Sequence, residues 1–329
     1  MLKIAYIGNK GYHSDNVNGS TRGDKRFVAC AVAGGTKDED MSAFWEYIKN
    51  DHPDAKYYAD YIEMLETEKP DVAVISPRFD LTAKVCMDCA KRGVHIFAEK
   101  PVATNQNELC ELEKVIKDTG VHFVAMHFLR LGGAFYQAIC AVKEGAIGEV
   151  RMVNAQKSYK LGQRQDFYKK RETYGGTIPW VGIHGIDWIY TIVGKPCVKV
   201  NALQSRIGNR EHGELESTCL CQFTFEYEVI ASLAIDYLRP AEAPTYSDDR
   251  VRIVGTEGVI EVREGKLYIT DCEGLKTPVI TKGKDLAMEF LEGILNNTEC
   301  EITSKEIFEI TKLALAAQQA ADSGEAVLL

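Results

Sequence analysis

The stretch Val72-Ala73-Val74-Ile75-Ser76 is a continuous apolar run that ends in a small polar residue. Similar short runs cover residues 4–7, 27–33, 94–98 and 121–126. Segments with helical periodicity separate them, at about 41–50, 81–92 and 106–118. Strands that are apolar on both faces and alternate with helices are typical of a parallel sheet with helices on both sides. The first part of the chain is therefore predicted to be an α/β domain.

The rest of the chain has a different pattern. Strand-like runs of alternating apolar and polar residues lie at 149–159, 198–206, 218–227, 229–238, 251–254, 259–262 and 267–270. Helices are predicted at 135–144, 179–193, 285–295 and 305–322, and Glu264-Gly265 is predicted to be a hairpin turn. The pattern predicts an α+β domain with a large, mostly antiparallel open sheet. The predicted domains are residues 1–125 and 126–329, joined between Val124 and Phe135.

Composition excludes several classes of protein. The 329-residue chain has a formal net charge of -9, which argues against a basic nucleic-acid surface. No run approaches the roughly 20 apolar residues that span a bilayer, and the first residues lack the features of a signal peptide. We therefore expect a cytoplasmic protein that binds neither nucleic acid nor membrane.

The ten cysteines suit a reducing compartment. Cys86 and Cys89 lie on a predicted helix at a spacing that also suits a redox or metal pair. No second pair of ligands stands at zinc spacing, so thiols acting as small core residues are preferred and no metal is expected.

The residues after the first strand are the first candidate site. In Gly8-Asn9-Lys10-Gly11-Tyr12-His13, Gly8 matches the first glycine of the G-x-G-x-x-G motif, whereas Lys10 and His13 replace the other two. A dinucleotide-binding fold turns here to admit a pyrophosphate. Residues 14–24 are rich in polar residues and glycine and predict a poor helix with a weak dipole. The candidate cofactor residues of this loop are Gly8, Asn9, Lys10, Gly11 and His13.

The end of the second strand lacks the carboxylate that usually binds the adenosine ribose. Ala33-Gly34-Gly35-Thr36-Lys37 stands in that place. Thr36 and Lys37 suit either a simple turn or a 2′-phosphate, so the cofactor is predicted to be NAD or NADP.

The segment Phe97-Ala98-Glu99-Lys100-Pro101-Val102 follows another strand of the parallel sheet. With this Glu-Lys-Pro motif the chain resembles the Gfo/Idh/MocA oxidoreductases, the family of glucose–fructose oxidoreductase and inositol dehydrogenase. Further matches in order are Ser76-Pro77, Arg130, Gly145-Ala146-Ile147-Gly148-Glu149-Val150, Gly175-Gly176 and Gly182-Ile183-His184-Gly185-Ile186-Asp187. The resemblance covers essentially the whole chain and implies a Rossmann domain followed by the α+β domain.

The resemblance also implies roles for single residues. Lys100 would contact nicotinamide and substrate and polarise the reacting oxygen, and His184 would be the general base. Asp187, one helical turn from His184, would orient its ring or bind substrate. Glu99 would contact the cofactor ribose, and Ser76, Pro77 and Arg78 belong to the implied cofactor site.

Some positions depart from the family pattern. Trp180 stands where many polyol-oxidising members carry a carboxylate, and it can stack on the apolar face of a sugar. Arg78, Asp80 and His127 replace residues that are usually Asn, His and Asn. The loop 157–174 is rich in Lys, Arg and Gln and is either a solvated loop or a lid; its Tyr159 and Lys170, with Trp180 and Asp187, are the candidate substrate-binding residues.

The leading functional hypothesis is an NAD(P)-dependent oxidoreductase that acts on the alcohol or ketone of a sugar, polyol or derivative. The alternatives are a non-catalytic dinucleotide-binding sensor and a redox-assisted NAD-dependent lyase or hydrolase. A homodimer or homotetramer formed through the C-terminal sheet is also expected. The apolar contact surface between the subunits would come from Leu220, Phe223, Ile230 and Leu233. The same residues would otherwise cover the domain's own helices.

Overall fold

Six parallel strands form the first of two sheets in the computed structural model, which describes residues 1–11 and 13–329. These strands are β1 (Leu2–Ile7), β2 (Phe27–Ala33), β3 (Lys56–Tyr58), β4 (Val72–Ile75), β5 (His95–Ala98) and β6 (Phe123–Ala125). Their order is β3-β2-β1-β4-β5-β6. The order of a doubly wound dinucleotide-binding sheet is the same, and its direction of winding reverses between β1 and β4. The predicted parallel α/β domain is confirmed.

Helices cover this sheet: α1 (Ser14–Thr21), α2 (Ser42–Lys49), α3 (Tyr61–Glu68), α4 (Thr82–Ala90) and α5 (Gln106–Thr119). The ends of α5 follow local chemistry, because the side chain of Asn105 accepts a hydrogen bond from the Glu108 amide and Gly120 takes the left-handed conformation at the other end. The expectation of a poor helix after Ser14 was wrong. Although its composition is unfavourable, α1 buries Val17 and packs against a helix from far along the chain, and such packing outweighs propensity.

The chain divides into two compact units, Met1–Met126 with Asp285–Thr311, and His127–Lys284 with Lys312–Leu329. The sequence-based division assigned 285–311 to the second domain, but this segment belongs to the first unit. It contains α9 (Leu286–Asn296) and the start of α10 (Ser304–Ser323). The Phe290 ring of α9 lies 5.4 Å from that of Phe97 on β5. This apolar contact explains why residues 285–311 pack in the first unit, although they follow the second unit along the chain.

The second unit contains a nine-stranded sheet in the order β14-β13-β12-β11-β7-β10-β9-β8-β15. The strands are β7 (Val150–Ser158), β8 (Cys197–Ser205), β9 (Thr218–Phe225), β10 (Ile230–Asp236), β11 (Arg250–Gly255), β12 (Val259–Arg263), β13 (Lys266–Asp271), β14 (Gly274–Lys276) and β15 (Val327–Leu328). Only β7 and β10 pair in parallel, so the predicted antiparallel sheet is confirmed. Glu264 and Gly265, at φ 53° and 69°, form the predicted hairpin turn.

The second unit contains the helices α6 (Gly133–Lys143), α7 (Arg171–Tyr174) and α8 (Ile183–Val193), together with the end of α10. A π-helical turn at Ile178–Gly182 precedes α8. Helix α8 lies directly on the sheet. A Cβ atom at Gly182 or Gly185 would lie 2.5 Å from Ile235 Cδ1 or 2.4 Å from Leu233 Cδ1. These two glycines therefore allow the close approach that places His184.

All ten cysteines lie in the described part of the chain as free thiols. Four of them, Cys86, Cys89, Cys219 and Cys221, are buried, as expected for core residues. No helix among residues 1–11 and 13–329 is both long and apolar enough to cross a bilayer.

Candidate functional site

The loop after β1 turns sharply against the segment after β4. Gly8 has φ +74°, and its amide donates to the Ala33 carbonyl at 2.9 Å. A Cβ atom at Gly8 would lie 2.6 Å from Pro77 Cα. Only glycine combines this backbone conformation with this close approach, so the match to the first motif glycine has a structural basis.

The second small residue of the loop is Gly11. Its amide donates to Ser76 Oγ at 3.0 Å, and the Lys10 amide donates to the Ser76 carbonyl at 2.7 Å. A Cβ atom at Gly11 would lie 2.0 Å from Glu99 Oε2. The motif alignment assigned the second glycine to Lys10, whereas the structure requires glycine one residue later. The extra residue in this turn changes the spacing.

Glu99 connects the loop to the Glu-Lys-Pro segment. Its side chain is fully buried, Oε1 accepts from the Lys100 amide at 3.0 Å, and Oε2 lies 2.7 Å from His13 Nδ1. Lys100 is the second residue after β5 and is 3% exposed. These residues lie at the carboxyl edge of a parallel sheet, which is the ligand-binding edge of such folds.

Arg78 and Asp80, which the sequence showed as two separate departures, form a bidentate ion pair. The Arg78 Nε and Nη2 atoms donate to the two Asp80 oxygens at 2.6 and 2.8 Å. The two changes therefore compensate each other in charge.

A carboxylate that sequence reasoning missed lies at the end of β2. Glu39 Oε2 accepts from the Gly35 amide at 2.8 Å, and Oε1 accepts from the Asn9 amide at 3.3 Å. Lys37, considered for a 2′-phosphate, is 76% exposed and pairs with Asp60 at 3.1 Å. The motif search missed Glu39 because it stands six residues after Ala33, the last residue of β2.

In the second unit, His184 and Asp187 are both buried in α8. Arg130 Nε donates to Asp187 Oδ1 at 2.9 Å, and His127 Nδ1 lies 3.4 Å from the same oxygen. The rings of His127 and His184 are 6.1 Å apart. Burial by itself raises the pKa of Asp187, but the positive charge of Arg130 and the nearby His127 ring bring that pKa below its usual value. The carboxylate therefore stays ionised beside His184.

Lys157 is a second residue that sequence reasoning missed. It lies in β7, inside the predicted strand 149–159 and at the first residue of the predicted loop, and its side chain is fully buried. Its Nζ lies 2.6 Å from Asp249 Oδ2, 4.7 Å from the centre of the Tyr159 ring and 4.9 Å from that of Trp188. The signal was the strand alternation, which places Lys157 on the same face as buried Val153 and Ala155.

The basic residues of the loop 157–174 mostly bind their own unit. Lys160 Nζ donates to the Ala241 and Ala243 carbonyls, Arg164 donates to the Tyr246 hydroxyl at 2.8 Å, and Arg171 pairs with Glu216. Such contacts favour a structural loop over a lid for these three residues.

The remaining substrate candidates differ in exposure. Lys170 is exposed, Tyr159 is half-buried, and Trp180 is 6% exposed, with its ring 6.1 Å from that of Tyr168. Lys170 is therefore the accessible cation among these candidates, and Trp180 belongs to a packed aromatic group.

The first unit fits a dinucleotide. Its strand order is that of a dinucleotide-binding sheet. The turn at Gly8, the contact between Gly11 and Glu99, and the carboxylate of Glu39 all lie at one sheet edge, where a pyrophosphate and a ribose bind in such folds. Residues Gly8, Asn9, Lys10, Gly11 and His13 line this loop, and Ser76 and Pro77 form its opposite wall.

Both parts of the chain match known families. Residues 3–127 match the family model described as an oxidoreductase family with an NAD-binding Rossmann fold, and residues 135–261 match the GFO/IDH/MocA C-terminal domain. A solved Thermotoga maritima structure described as an oxidoreductase is 45% identical, with a TM-score of 0.95 and full coverage of both chains.

Two curated relatives are more distant. The Thermotoga maritima myo-inositol 2-dehydrogenase is 25% identical over 67% of this chain and 65% of that enzyme. The Escherichia coli 2,7-anhydro-N-acetylneuraminate hydratase is 24% identical over 58% of this chain and half of its own length. Full-length similarity to the Thermotoga structure, with matches in both domains, shows that this chain belongs to the Gfo/Idh/MocA family of oxidoreductases, whose N-terminal domain is an NAD-binding Rossmann fold.

Proposed function

We propose that this protein transfers a hydride between NAD(P) and the alcohol or ketone of a carbohydrate-like substrate, such as a sugar, a polyol or a derivative of one. The observation that carries the proposal is the buried Lys100 at the carboxyl end of β5, joined to the glycine loop through Glu99. A buried ammonium group at the ligand edge of this sheet suits a reacting oxygen that gains negative charge. The similarity to a myo-inositol dehydrogenase supports the substrate class.

The bound nicotinamide supplies the hydride acceptor or donor. In the proposed oxidation, Lys100 donates a hydrogen bond to the substrate oxygen and stabilises its developing charge. The His184 ring takes the hydroxyl proton, and in reduction it returns that proton. Asp187 acts as a positioning residue, because its carboxylate is held ionised by Arg130 one helical turn from His184. Trp180, Tyr159 and Lys170 remain the proposed substrate contacts.

A substrate panel tests this function. Sugars, sugar phosphates and inositols are incubated with NAD+ or NADP+, and the absorbance of the reduced nicotinamide is followed. With an active substrate, Lys100→Met and His184→Asn should each lower kcat at least about 100-fold, as expected for loss of a general acid–base group. His212→Asn is the matched control, since this half-buried histidine lies in the surface turn 209–213. Unchanged turnover in both variants would disprove the assignment.

A second candidate is redox-assisted addition or removal of water with a retained NAD. The similarity to the Escherichia coli hydratase favours it. In such a reaction a retained NAD would supply hydride chemistry with no net redox change, so product would form with no net change in absorbance. Product analysis by NMR alongside absorbance separates the two reactions. Dinucleotide binding without turnover of any panel member would instead support the sensor hypothesis.

We also propose that the open face of the nine-stranded sheet joins subunits into a homodimer or homotetramer. Leu203, Leu220 and Ile230 lie on three neighbouring strands and are 68%, 43% and 51% exposed. Phe223 and Leu233, which were considered for the same surface, are buried on the other face because strand residues alternate in direction. Light scattering should show an oligomer that Leu220→Arg dissociates. A monomeric wild-type protein would disprove the proposal.

A further inference from the structure

The loop after β2 folds back on itself. The Glu39 amide donates to the Thr36 carbonyl at 3.1 Å and closes a turn. This turn returns the Glu39 side chain to the end of β2, where it is 5% exposed. Gly34 lies against the returning residue, since a Cβ atom there would be 2.9 Å from Glu39 Cβ. The Gly34-Gly35 pair thus makes room for a carboxylate that approaches from further along the chain.

The returned carboxylate contacts both loops of the cofactor edge. One oxygen accepts from the Gly35 amide directly after β2, and the other accepts from the Asn9 amide after β1. Lys10 Nζ lies 3.7 Å from Glu39 Oε1. A carboxylate between the ends of β1 and β2 stands where a dinucleotide-binding fold holds the adenosine ribose.

We infer that Glu39 is the ribose-binding carboxylate of this protein and that it selects NAD over NADP. The inference rests on the proposed function, because it presumes that a dinucleotide binds at this edge. An ionised carboxylate has acceptor capacity beyond the two amides, so it accepts hydrogen bonds from the 2′- and 3′-hydroxyl groups. A 2′-phosphate in the same place brings a second negative charge next to a largely desolvated carboxylate.

The nearby cations do not reverse this preference. Lys10 faces the Glu39 carboxylate itself, so its charge is largely balanced. Lys37 is paired with Asp60. Neither side chain supplies a dedicated cation for a 2′-phosphate, although Lys37 stands only two residues after the Gly-Gly pair in the sequence.

Calorimetric titration of the full-length protein with NAD+ and with NADP+ tests the inference without any need for a substrate. The wild-type protein should bind NAD+ at least about tenfold more tightly, because a hydrogen bond to a charged group is worth about one such factor or more. Glu39→Gln, which keeps an acceptor oxygen for one of the two backbone donors, should weaken NAD+ binding and strengthen NADP+ binding. The ratio of the two dissociation constants should then fall about tenfold or more.

Asp38→Asn is the matched control, because it removes the same charge from an exposed neighbour and should leave the ratio unchanged. Circular dichroism and thermal unfolding show whether the Gln variant folds, and the wild-type ratio tests the selectivity without any variant. A wild-type preference for NADP+, or an unchanged ratio in a folded Glu39→Gln protein, would overturn the inference and leave the proposed function standing. Binding of neither dinucleotide at millimolar concentration would overturn both.

Discussion

Arg130 and Asp187 form a buried ion pair, with Arg130 Nε 2.9 Å from Asp187 Oδ1 and both side chains at most 4% exposed. The pair joins the segment after β6 to helix α8, 57 residues further along the chain. It keeps a negative charge one helical turn from His184. Because a buried charge is stable only with its partner, this pair links the stability of the second unit to the proposed catalytic histidine.

Removal of Arg130 should therefore destabilise the protein. In Arg130→Met the Asp187 carboxylate loses its closest cation, and we expect a loss of about 3–5 kcal/mol in the free energy of unfolding. Urea denaturation measures it. A double variant, Arg130→Met with Asp187→Asn, should recover part of the loss because no buried charge is left unpaired. Arg151→Met is the control, since the Arg151–Glu149 pair is half exposed and should contribute less than about 1 kcal/mol. Equal effects at Arg130 and Arg151 would contradict this account.

The buried Lys157 should give the protein a distinct pH dependence. Burial lowers the pKa of Lys157 to about 8, although Asp249 opposes the shift, whereas an unfolded lysine titrates at about 10.4. Between these pH values the unfolded chain binds more protons, so this residue adds stability as the pH rises from 8 towards 10.

Urea denaturation of the wild-type protein and Lys157→Met at pH 7.5 and pH 10 measures this effect. The difference in unfolding free energy should change in favour of the wild type by about 2 kcal/mol over that range. Buried thiols such as Cys221, whose pKa burial raises to about 12, act in the opposite direction but do so in both proteins and cancel. Lys169→Met, at a half-exposed lysine, should show no such change, and a pH-independent difference for Lys157→Met would disprove the explanation.

The turn at Gly8 should tolerate no side chain. Gly8→Ala combines a positive φ, which costs about 1–2 kcal/mol for a non-glycine residue, with an overlap against Pro77. Gly23 separates the two effects, since it has φ +79° with no atom within 4 Å of a built Cβ. Gly23→Ala should therefore lower the free energy of unfolding only by the cost of the positive φ. Thermal unfolding should show a larger loss of stability for Gly8→Ala than for Gly23→Ala, and NAD+ titration should show weaker binding only for Gly8→Ala. Equal behaviour of the two variants would rule out the steric contribution of Pro77.

The packing of α9 in the first unit should contribute to the free energy of unfolding. Phe290 is 3% exposed and packs near Phe97, so Phe290→Ala should cost about 3–5 kcal/mol. Leu295→Ala lies on the same helix at 41% exposure and should cost under about 1 kcal/mol. Denaturation curves followed by tyrosine and tryptophan fluorescence provide the measurement. A small effect at Phe290 would mean that residues 285–311 are not integral to the first unit.

Much of the fold could be predicted because the pattern of neighbouring residues along the chain determines it. The strand 27–33 has the same bounds in prediction and structure, and the hairpin at Glu264-Gly265 has the left-handed conformations that its residues favour. The segment Glu99-Lys100-Pro101 lies at the sheet edge where it was expected. The spacing of the glycine loop was less informative, because the residue that must be small, Gly11, is defined by the Glu99 side chain that packs against it.

The sequence by itself determined most of the helices and strands (although not α3 or β3), the α/β and α+β character of the two parts, and the residues with reactive side chains. Hydrophobic periodicity reports the face on which a residue lies, but not which distant residue it meets there. Only the tertiary structure decided that Lys157 pairs with Asp249, 92 residues away, that α9 joins the first unit, and that Glu39 turns back to the end of β2. These contacts depend on packing and charge between segments that are remote along the chain, which periodicity along one segment does not report.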